Sequence, residues 1–437
     1  MKKQLFTLLA LGVTTSITAQ SSLKPAIATA TAKVESKVIE WRRDLHQHPE
    51  LGNQEFRTAK KVAEHLRSLG IEVQENVAVT GVIGVLKGGK PGPVVALRAD
   101  MDALPVTERV NIPFKSEVMA EYNGQKTGVM HACGHDSHVA ILMGVAEVLS
   151  GMKKDLQGTV KFIFQPAEEG VYDTKDPFGA DGMVRAGCLE NPKVDAIFGL
   201  HINSQTPVGV IAYRPGATMA AVDQLKIRLK GKQTHGAYPW SGVDPIVTAS
   251  QIVMGLQTIV SRNVTLTENP AVVTVGAIHG GIRNNIIPEN LEMIGTIRTL
   301  GKDQRLLVHR RIEEISTNIA ESAGAAAEVT IDHGYPVTYN DPVLTDKMVA
   351  TLEGAAGKEN VRIVPATMGA EDFSYYQEKV PGLFFFLGGM PKDKKPSEAA
   401  PHHTPDFYID ESGFGLGVKA LSSLVVDYME MNSPKKK

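Results

Sequence analysis

The chain is 437 residues long, and its 46 lysines and arginines nearly balance its 48 aspartates and glutamates. That length exceeds what one hydrophobic core comfortably supports, so two domains are expected. The formal charge is only -2, and the one basic run lies at residues 435–437. This composition argues against nucleic acid as a partner.

Residues 1–19 have the pattern of a secretory signal peptide. Two lysines precede an apolar run that ends at Val13, and small or polar residues lead to a cleavage site near Ala19. The apolar run is shorter than the roughly 20 residues that span a membrane, and no later stretch is long enough. We therefore expect a secreted or periplasmic protein with no membrane partner and with a loose leader over residues 20–32.

The next elements follow the order of an α/β domain. Apolar residues at helical spacing predict two helices within residues 34–69, separated by a turn at residues 48–52. Beyond Ile71, short strand-like runs alternate with helical stretches such as residues 139–149. This alternation predicts a mainly parallel sheet covered by helices.

The segment from Met130 to His138 carries the clearest chemical signal. It places a thiol, several imidazoles and a carboxylate within nine residues, a combination that suits metal ligation better than a hydrophobic core. Cys133 and His135 are its candidate ligands. Because the segment lacks the paired spacing of a complete zinc module, further ligands must come from elsewhere.

Three strand-like runs supply such groups where they end. The runs are 94–97, 160–164 and 196–200, and the polar side chains that follow them are Asp100 and Asp102, Glu168 and Glu169, and His201. Ligands of an open α/β sheet bind beyond the carboxyl ends of its strands, so these groups should converge. The resulting pool suffices for one or two zinc-like ions and consists of Cys133, His135, Glu169, His201 and one late histidine, His402 or His403.

A different pattern begins after residue 221. The predicted elements are a strand at 222–229, a helix at 244–260, strands at 271–278 and 291–300, a helix at 303–322 and a strand at 326–331. This β-α-β-β-α-β order is a complete ferredoxin-like unit, and it must be an insertion because Glu169 and His403 have to meet across it. The predicted domains are a discontinuous catalytic domain at 31–216 and 334–431 and an inserted domain at 217–333.

With these residues, the chain resembles the M20 metallopeptidase family. The closer resemblance is to its amidohydrolase branch of aminoacylases, hippurate hydrolases and hydrolases of auxin-amino acid conjugates. The motifs span nearly the whole mature chain and are RDLHQHPEL at 43–51, RADMDALP at 98–105, the segment 130–138, QPAEEG at 165–170, HGA at 235–237, NIIP at 285–288, GAEDF at 369–373 and HTP at 403–405. Together they are highly specific.

The resemblance implies a zinc-peptidase-like α/β catalytic domain with an inserted ferredoxin-like domain that serves as a lid and forms a homodimer. It also implies two divalent metal ions per subunit, with zinc as the expected metal and manganese, cobalt or nickel as alternatives. The implied ligands are Cys133, His135, Glu169, His201 and His403.

The resemblance further implies that Glu168 is the general base and that His235 reaches across the dimer to the developing oxyanion. Adjacent residues at a strand end point to different sides, so Glu169 can bind metal while Glu168 faces the metal-activated water. A carboxylate that takes the proton of this water can return it to the leaving amine. A fixed donor such as His235 suits the stabilisation of an oxyanion.

Asn285 and Arg298 are the candidates for binding a substrate carboxylate, Arg298 as a bidentate fork. A strand-surface ion pair is an equally open interpretation of Arg298. Asp100 and Asp102 are expected to orient metal ligands through hydrogen bonds rather than to bind the metal.

Several other polar residues have plainer interpretations. His46 and His48 are expected to serve a turn, and His402 is expected to be a surface neighbour. Glu371 and Asp372 could cap a helix that starts near Phe373, and their role stays open. Tyr238 and Trp240, where relatives often carry a second histidine, could favour apolar acyl groups or form a dimer contact.

We therefore expect a metal-dependent amidohydrolase that cleaves the amide bond of N-acyl or N-aroyl amino acids. A carboxypeptidase or dipeptidase is the alternative enzyme, because the same site would hydrolyse any amide beside a free carboxylate. An inactive metal-dependent binding protein is the alternative from another class, and Glu168 argues against it because binding alone needs no general base.

Overall fold

The computed structural model describes residues 23–171 and 177–433. The predicted signal peptide at residues 1–19 lies outside these ranges. Within them, no helix combines the length and the apolar character that a bilayer crossing requires.

The helices are α1 (Lys24–Gln47), α2 (Phe56–Ser68), α3 (His135–Gly151), α4 (Gly179–Arg185), α5 (Pro245–Thr258), α6 (Lys302–Ser322), α7 (Pro342–Ala356), α8 (Ser374–Gln377) and α9 (Phe414–Asn432). Short 3-10 turns occur at Pro239–Ser241, Lys358–Asn360 and Glu411–Gly413, and α5 continues into a π-helical turn at Ile259–Asn263.

The strands are β1 (Glu72–Val77), β2 (Gly81–Lys87), β3 (Lys90–Asp100), β4 (Met119–Tyr122), β5 (Gln125–Gly128), β6 (Gln157–Gln165), β7 (Ala196–Pro207), β8 (Ile211–Tyr213), β9 (Gly216–Met219), β10 (Ala221–Lys230), β11 (Thr234–His235), β12 (Ala271–Gly280), β13 (Ile286–Ile287), β14 (Asn290–Thr299), β15 (Ala326–His333), β16 (Thr338–Asn340), β17 (Val361–Ile363) and β18 (Gly382–Met390).

The larger sheet has eight strands in the order β1-β2-β6-β3-β7-β18-β8-β17. Its centre is parallel, since β6, β3, β7 and β18 pair in the same direction. Helices α1, α2, α3 and α9 share one core with one face of the sheet, while Met183, Phe373 and Phe384 belong to a core on the other face. Burial on both faces explains why β18 is apolar and buried along its whole length.

Helix α1 begins before the predicted start of the catalytic domain. The expected loose leader at residues 20–32 is wrong for its described part, because α1 starts at Lys24 with Pro25 in its first turn. Ile27 is completely buried and Thr31 nearly so, in line with the later core positions Val34 and Val38. The alanines and threonines between them obscure this helical spacing in the sequence.

The inserted unit has the predicted β-α-β-β-α-β order. Strands β10, β12, β14 and β15 form a fully antiparallel sheet in the order β12-β14-β10-β15, and they share a separate core with α5 and α6. Asp244 caps α5 by accepting hydrogen bonds from the Ile246 and Val247 N–H groups at 2.8 and 3.3 Å. Burial alternates along β10, so this sheet has one covered and one open face.

The two chain crossings between the units lie side by side. Strand β9 precedes the inserted unit, β16 follows it, and the two pair in antiparallel fashion. Buried Asn340 donates from Nδ2 to the Phe384 carbonyl at 2.8 Å and accepts the Phe384 N–H at 2.7 Å. The returning chain is thereby fixed to β18 at the centre of the larger sheet.

Candidate metal centre

The predicted ligand residues lie together at the carboxyl edge of the parallel strands. Strand β3 ends at Asp100 and β6 ends at Gln165, three residues before Glu168. The sequence predicts that a strand ends just before His201, but His201 lies within β7, which continues to Pro207. The parallel neighbour β3 pairs with β7 only as far as Gly199, so the strand edge beside His201 is open to the site.

All five predicted ligands are brought together. The Cys133 sulfur is 3.4 Å from His201 Nε2 and 3.3 Å from His403 Nε2. Glu169 Oε1 is 2.8 Å from His403 Nε2 and 4.0 Å from His135 Nε2. Cys133 and His135 are buried, whereas His403 is half exposed. Sequence positions up to 270 apart thus form one cluster.

Two of the imidazoles are oriented as metal ligands. His135 Nδ1 lies 3.2 Å from Asp102 Oδ1, and His201 Nδ1 lies 2.6 Å from the Ile202 carbonyl oxygen. Both acceptors require the proton on Nδ1, which leaves the Nε2 lone pair directed into the cluster. His135 Nε2 is buried and has no hydrogen-bond partner. A divalent cation would satisfy it, so the residues fit a metal.

The local electrostatics also favour a cation. Burial alone would lower the pKa of His135, but the charges of Asp100 and Asp102 outweigh it and raise that pKa to about 10. An imidazole that holds a proton this strongly lies in a strongly negative potential. A divalent metal can replace that proton, since metal binding and proton release compete at the same lone pair.

The turn that carries Glu168 and Glu169 is fixed on several sides. Its first residue, Ala167, has a positive φ of 51° and donates its N–H to Glu55 Oε1 at 2.8 Å. The Glu169 N–H donates to Asp102 Oδ2 at 2.9 Å. Asp102 therefore contacts both His135 and Glu169. Glu55 was missed, because nothing near it in sequence indicates that it meets Ala167.

Glu168 borders a buried cluster of carboxylates. Fully buried Arg98 donates to Asp100 Oδ2 at 2.6 Å, Glu371 Oε1 at 2.9 Å and Asp372 Oδ1 at 2.8 Å. One guanidinium cannot neutralise three acids and Glu168 as well. Burial, followed by the charges of Glu371 and Glu169, raises the pKa of Glu168 well above its usual range.

The open question about Glu371 and Asp372 has a structural answer. Glu371 Oε1 accepts the Phe373 N–H at 2.9 Å, just before α8, but its main partner is Arg98. Asp372 Oδ2 accepts the Ala180 N–H at 2.7 Å and so also holds the start of α4. Both acids are parts of the buried cluster around Arg98 rather than simple helix caps.

The expectation that His46 serves a turn is wrong. His46 is buried in the last turn of α1, 2.7 Å from Asp136 Oδ2 and 3.2 Å from Glu108 Oε1. Arg42 Nε lies 2.9 Å from the same Asp136 oxygen. His48 does follow the helix end, and its Nδ1 lies 2.8 Å from the Asp44 carbonyl oxygen.

His402 is also placed differently from the prediction. It is not a surface neighbour, because its Nδ1 lies 3.6 Å from the Cys133 sulfur and its Nε2 accepts the Ser204 N–H at 3.2 Å. His402 and His403 are adjacent in the sequence. Both contact Cys133 in the folded chain.

A cavity of about 700 Å³ opens onto the ligand cluster and is lined by Cys133, Glu168, Glu169, His201 and Arg298. Arg298 comes from β14 of the inserted unit and donates from Nε to the Met368 carbonyl at 3.2 Å. No carboxylate of the described residues forms an ion pair with Arg298 within 4.0 Å. The strand-surface ion pair considered for Arg298 is therefore not formed within the described chain.

His235 and Asn285 do not reach this cavity. His235 is the last residue of β11 and Asn285 directly precedes β13, and next to this pair of strands the Gly236 N–H donates to the Asn285 carbonyl at 2.8 Å. Both side chains are exposed, as are the neighbouring rings of Tyr238 and Trp240. The structure separates these residues from the metal centre of their own chain.

The architecture is that of a metal-binding hydrolase. An α/β unit carries a cluster of Cys, His and Glu at the carboxyl edge of its sheet, with a buried carboxylate beside it, and an α+β unit is inserted into it. Comparison with known proteins identifies the family. Residues 96–427 match peptidase family M20/M25/M40. The chain belongs to this family and is a hydrolase of amide bonds.

Three relatives are similar over nearly their whole length. Thermostable carboxypeptidase 2 of Saccharolobus solfataricus is 41% identical, with 91% of this chain and 96% of that protein covered. N-acetylcysteine deacetylase of Bacillus subtilis is 39% identical, with 90% and 97% covered. The crystal structure of Bacillus subtilis YXEP, a dinuclear metal binding peptidase from the M20 family, has a TM-score of 0.75 at 37% identity, with 91% and 99% covered.

Proposed function

We propose that the enzyme hydrolyses the amide bond of N-acyl or N-aroyl amino acids at a site that holds two divalent metal ions. The observation that carries the proposal is the position of Glu168. Its buried carboxylate lies 4.0 Å from His135 Nε2 and lines the same cavity as the other ligands and Arg298. A proton acceptor, metal ligands and a cation for a substrate carboxylate therefore share one cavity.

Two ions are supported by the arrangement of the ligand atoms. Cys133, Glu169 and His403 form one group, His135 forms another with Glu168 and Glu169, and Glu169 belongs to both. Glu169 would therefore help to hold both ions. The combination of thiolate, imidazole and carboxylate favours zinc, with manganese, cobalt or nickel as alternatives.

A divalent metal bound here would supply Lewis acidity, which polarises a carbonyl group and acidifies water. Glu168 would take the proton of the attacking water and return it to the leaving amine. The Asp372 N–H donates to Glu168 Oε1 at 3.4 Å, and the Tyr335 hydroxyl donates to the Glu168 carbonyl at 2.6 Å. Burial and the charges of Glu371 and Glu169 raise the pKa of Glu168, which favours the uptake of a proton by its carboxylate.

The lining of the cavity offers groups for both ends of an acyl amino acid. Arg298 would bind the free carboxylate, with Asn285 as the second candidate if a partner subunit brings it close. Apolar residues also line the cavity, among them Ala212, Met219 and Phe386. They would accommodate the acyl or aroyl group.

We further propose a homodimer formed through the inserted unit, in which His235 completes the site of the partner subunit. The support is that His235 is exposed and its ring lies 5.3 Å from the exposed ring of Tyr238, which in turn contacts the exposed ring of Trp240. A second copy covering this surface would bury the apolar groups and place His235 near another metal centre.

The signal-like residues 1–19 support export, so we propose a secreted or periplasmic location. Fractionation of the native host with detection by antibody tests this location. Mature protein found only in the cytoplasm would refute it.

A carboxypeptidase or dipeptidase activity is the second candidate. It is favoured by the 41% identity to a thermostable carboxypeptidase, and a peptide offers the same amide beside a carboxylate. The two candidates differ in whether the acyl side carries a free amine.

The test combines metal removal with a substrate panel. Metal-loaded protein is assayed with N-acetyl amino acids, hippurate and unblocked dipeptides, before and after chelation. We expect the acyl amino acids to be the better substrates, and chelation should abolish hydrolysis and lower Tm because metal stabilises the native state. Full activity in metal-free protein would refute the proposal, and a preference for dipeptides would favour the second candidate.

A further inference from the structure

His402 and His138 are held by the backbone of the same strand. Ile202 and Ser204 are two residues apart on β7, so their N–H groups point to the same side of the strand. Pairing with β3 stops at Gly199, which leaves these two donors without a strand partner. The Ile202 N–H donates to His138 Nε2 at 2.8 Å, and the Ser204 N–H donates to His402 Nε2 at 3.2 Å.

These two hydrogen bonds determine where each imidazole carries its proton. A ring nitrogen that accepts an N–H must present its lone pair, so the proton of a neutral ring lies on the other nitrogen. His138 and His402 therefore carry the proton on Nδ1. His135 and His201 also carry it on Nδ1, but their Nδ1 atoms face oxygen acceptors away from the cluster and leave Nε2 free for metal.

In His138 and His402 the protonated Nδ1 instead faces a side-chain atom of the metal centre. His138 Nδ1 lies 2.5 Å from Asp100 Oδ1, and His402 Nδ1 lies 3.6 Å from the Cys133 sulfur. A nitrogen that bears a proton has no lone pair for a metal. His402 can thus reach the site only as a hydrogen-bond donor, although it lies close enough to Cys133 and His201 to hold an ion together with them.

The ring of His402 is held in this orientation. It packs against Phe407 with the ring centroids 4.9 Å apart, and against His201 at 5.3 Å. The Ser204 hydroxyl donates to the Ala400 carbonyl at 2.8 Å, which ties the late segment to the same point of β7. Ser204 therefore holds both the ring of His402 and the backbone of the segment that carries it.

We propose that His402 is a positioning residue that donates its Nδ1–H to the Cys133 sulfur and is not itself a metal ligand. The inference rests on the proposed metal site. A hydrogen bond to a ligating sulfur draws electron density from it, which weakens the metal-sulfur bond and leaves the metal a stronger Lewis acid. The bond also holds the Cys133 side chain toward His201 and His403.

The test uses cobalt-loaded protein, because the sulfur-to-cobalt charge-transfer absorption reports on the electron density at the sulfur. His402→Asn retains a donor near the position of Nδ1, whereas His402→Gln retains an acceptor near the position of Nε2 and loses the donor to sulfur. We expect both variants to bind as much cobalt as the unmodified protein. The absorption band should move to longer wavelength in His402→Gln and stay near its original position in His402→Asn.

His403→Ala is the matched control, since it changes the adjacent histidine that is proposed to bind metal and should lose cobalt. Loss of cobalt from both His402 variants would indicate that His402 binds the metal, and it would overturn the inference. An unmoved band in fully loaded His402→Gln would overturn it as well. If the unmodified protein bound no cobalt, the proposed metal site and this inference would fail together.

A second measurement does not depend on the variants retaining cobalt. Nitrogen NMR of zinc-loaded protein labelled at histidine distinguishes ring nitrogens that carry a proton from those that do not, and His402→Gln identifies the signals. We expect a proton on Nδ1 of His402 and none on Nε2. A proton on Nε2 would contradict the hydrogen bond from Ser204 and refute the inference.

Discussion

The two units of the chain each bury a group of charged residues, with opposite consequences. In the inserted unit, Asp223 is paired with both Arg305 and His309, whose Nε2 lies 2.7 Å from Asp223 Oδ2. Burial alone would raise the pKa of Asp223, but the hydrogen bonds from His309 and Arg305 outweigh it and lower that pKa to about 2. The negative charge there is fully compensated.

In the catalytic unit, a single Arg98 serves three acids, and Glu168 lies beside them. Burial raises the pKa of Asp372 and Glu168 well above their usual ranges, despite the opposing charge of Arg98. The charge of Arg98 lowers the pKa of both acids, but the desolvation that accompanies their complete burial is the larger effect. The catalytic unit therefore holds acids that favour their protonated form beside the proposed metal centre, whereas the inserted unit holds a carboxylate that stays charged.

The largest effect should follow from replacing Glu168, the proposed proton acceptor beside the acids that contact Arg98. Glu168→Gln keeps the shape of the side chain but cannot take up a proton. We expect kcat to fall about 100-fold or more with unchanged metal content, measured by steady-state kinetics and elemental analysis. Glu169→Gln is the matched control and should lose affinity for at least one metal. A metal-free Glu168→Gln beside a loaded Glu169→Gln would show that the two roles are reversed.

The next test asks whether the inserted unit contributes to the chemistry. Loss of one oxyanion donor typically costs about 100-fold or more in kcat, so His235→Ala should be strongly impaired. Mixing it with Glu168→Gln should restore part of the activity through heterodimers that contain one intact site. His279→Ala, another exposed histidine of the inserted unit, should leave activity unchanged. No recovery after verified subunit exchange would exclude action of His235 across a dimer.

A smaller effect is expected for Arg298, which links the inserted unit to the cavity. Replacing the substrate carboxylate by a primary amide should reduce kcat/KM roughly tenfold to a hundredfold, as expected for one charge-assisted contact of about 1.5–3 kcal/mol. In Arg298→Ala, or in Asn285→Ala if that residue also binds the carboxylate, the same change should matter much less. Equal cleavage of acid and amide by the unmodified protein would mean that no carboxylate pocket exists.

The buried cluster of Asp223, Arg305 and His309 should affect the stability of the protein rather than its catalytic activity. Asp223→Asn should lower the free energy of unfolding at pH 7 by roughly 1–3 kcal/mol, because buried donors lose a charged acceptor. The folded pKa of about 2 lies below the unfolded value of about 3.9, so this stabilisation is present above about pH 4 and is lost as the pH falls through about 2. The difference between the two proteins in urea unfolding should therefore narrow over that range.

Asp332→Asn, at an exposed position on the neighbouring strand β15, is the control for Asp223→Asn. It should change stability by less than about 0.5 kcal/mol. A constant difference between unmodified protein and Asp223→Asn from pH 7 to pH 2 would show that the charge of Asp223 is not stabilising.

The order of the elements could be predicted from the sequence because it depends on local periodicity. Strand β10 alternates polar and apolar residues from Gln224 to Lys230, and α6 repeats its buried positions at helical spacing. Helix α1 was predicted too short, since its first turns are rich in alanine and threonine and show their buried face only against the core.

The sequence by itself also determined which residues could bind metal, since thiols, imidazoles and carboxylates keep their donor chemistry in any fold. It did not determine how each is used. Arg98 meets Glu371 across 273 positions, and Ser204 meets His402 across 198. Such pairings depend on where strands stop pairing and which backbone N–H groups remain free. Only the tertiary structure therefore decided which acids share one arginine and which imidazole nitrogen carries a proton.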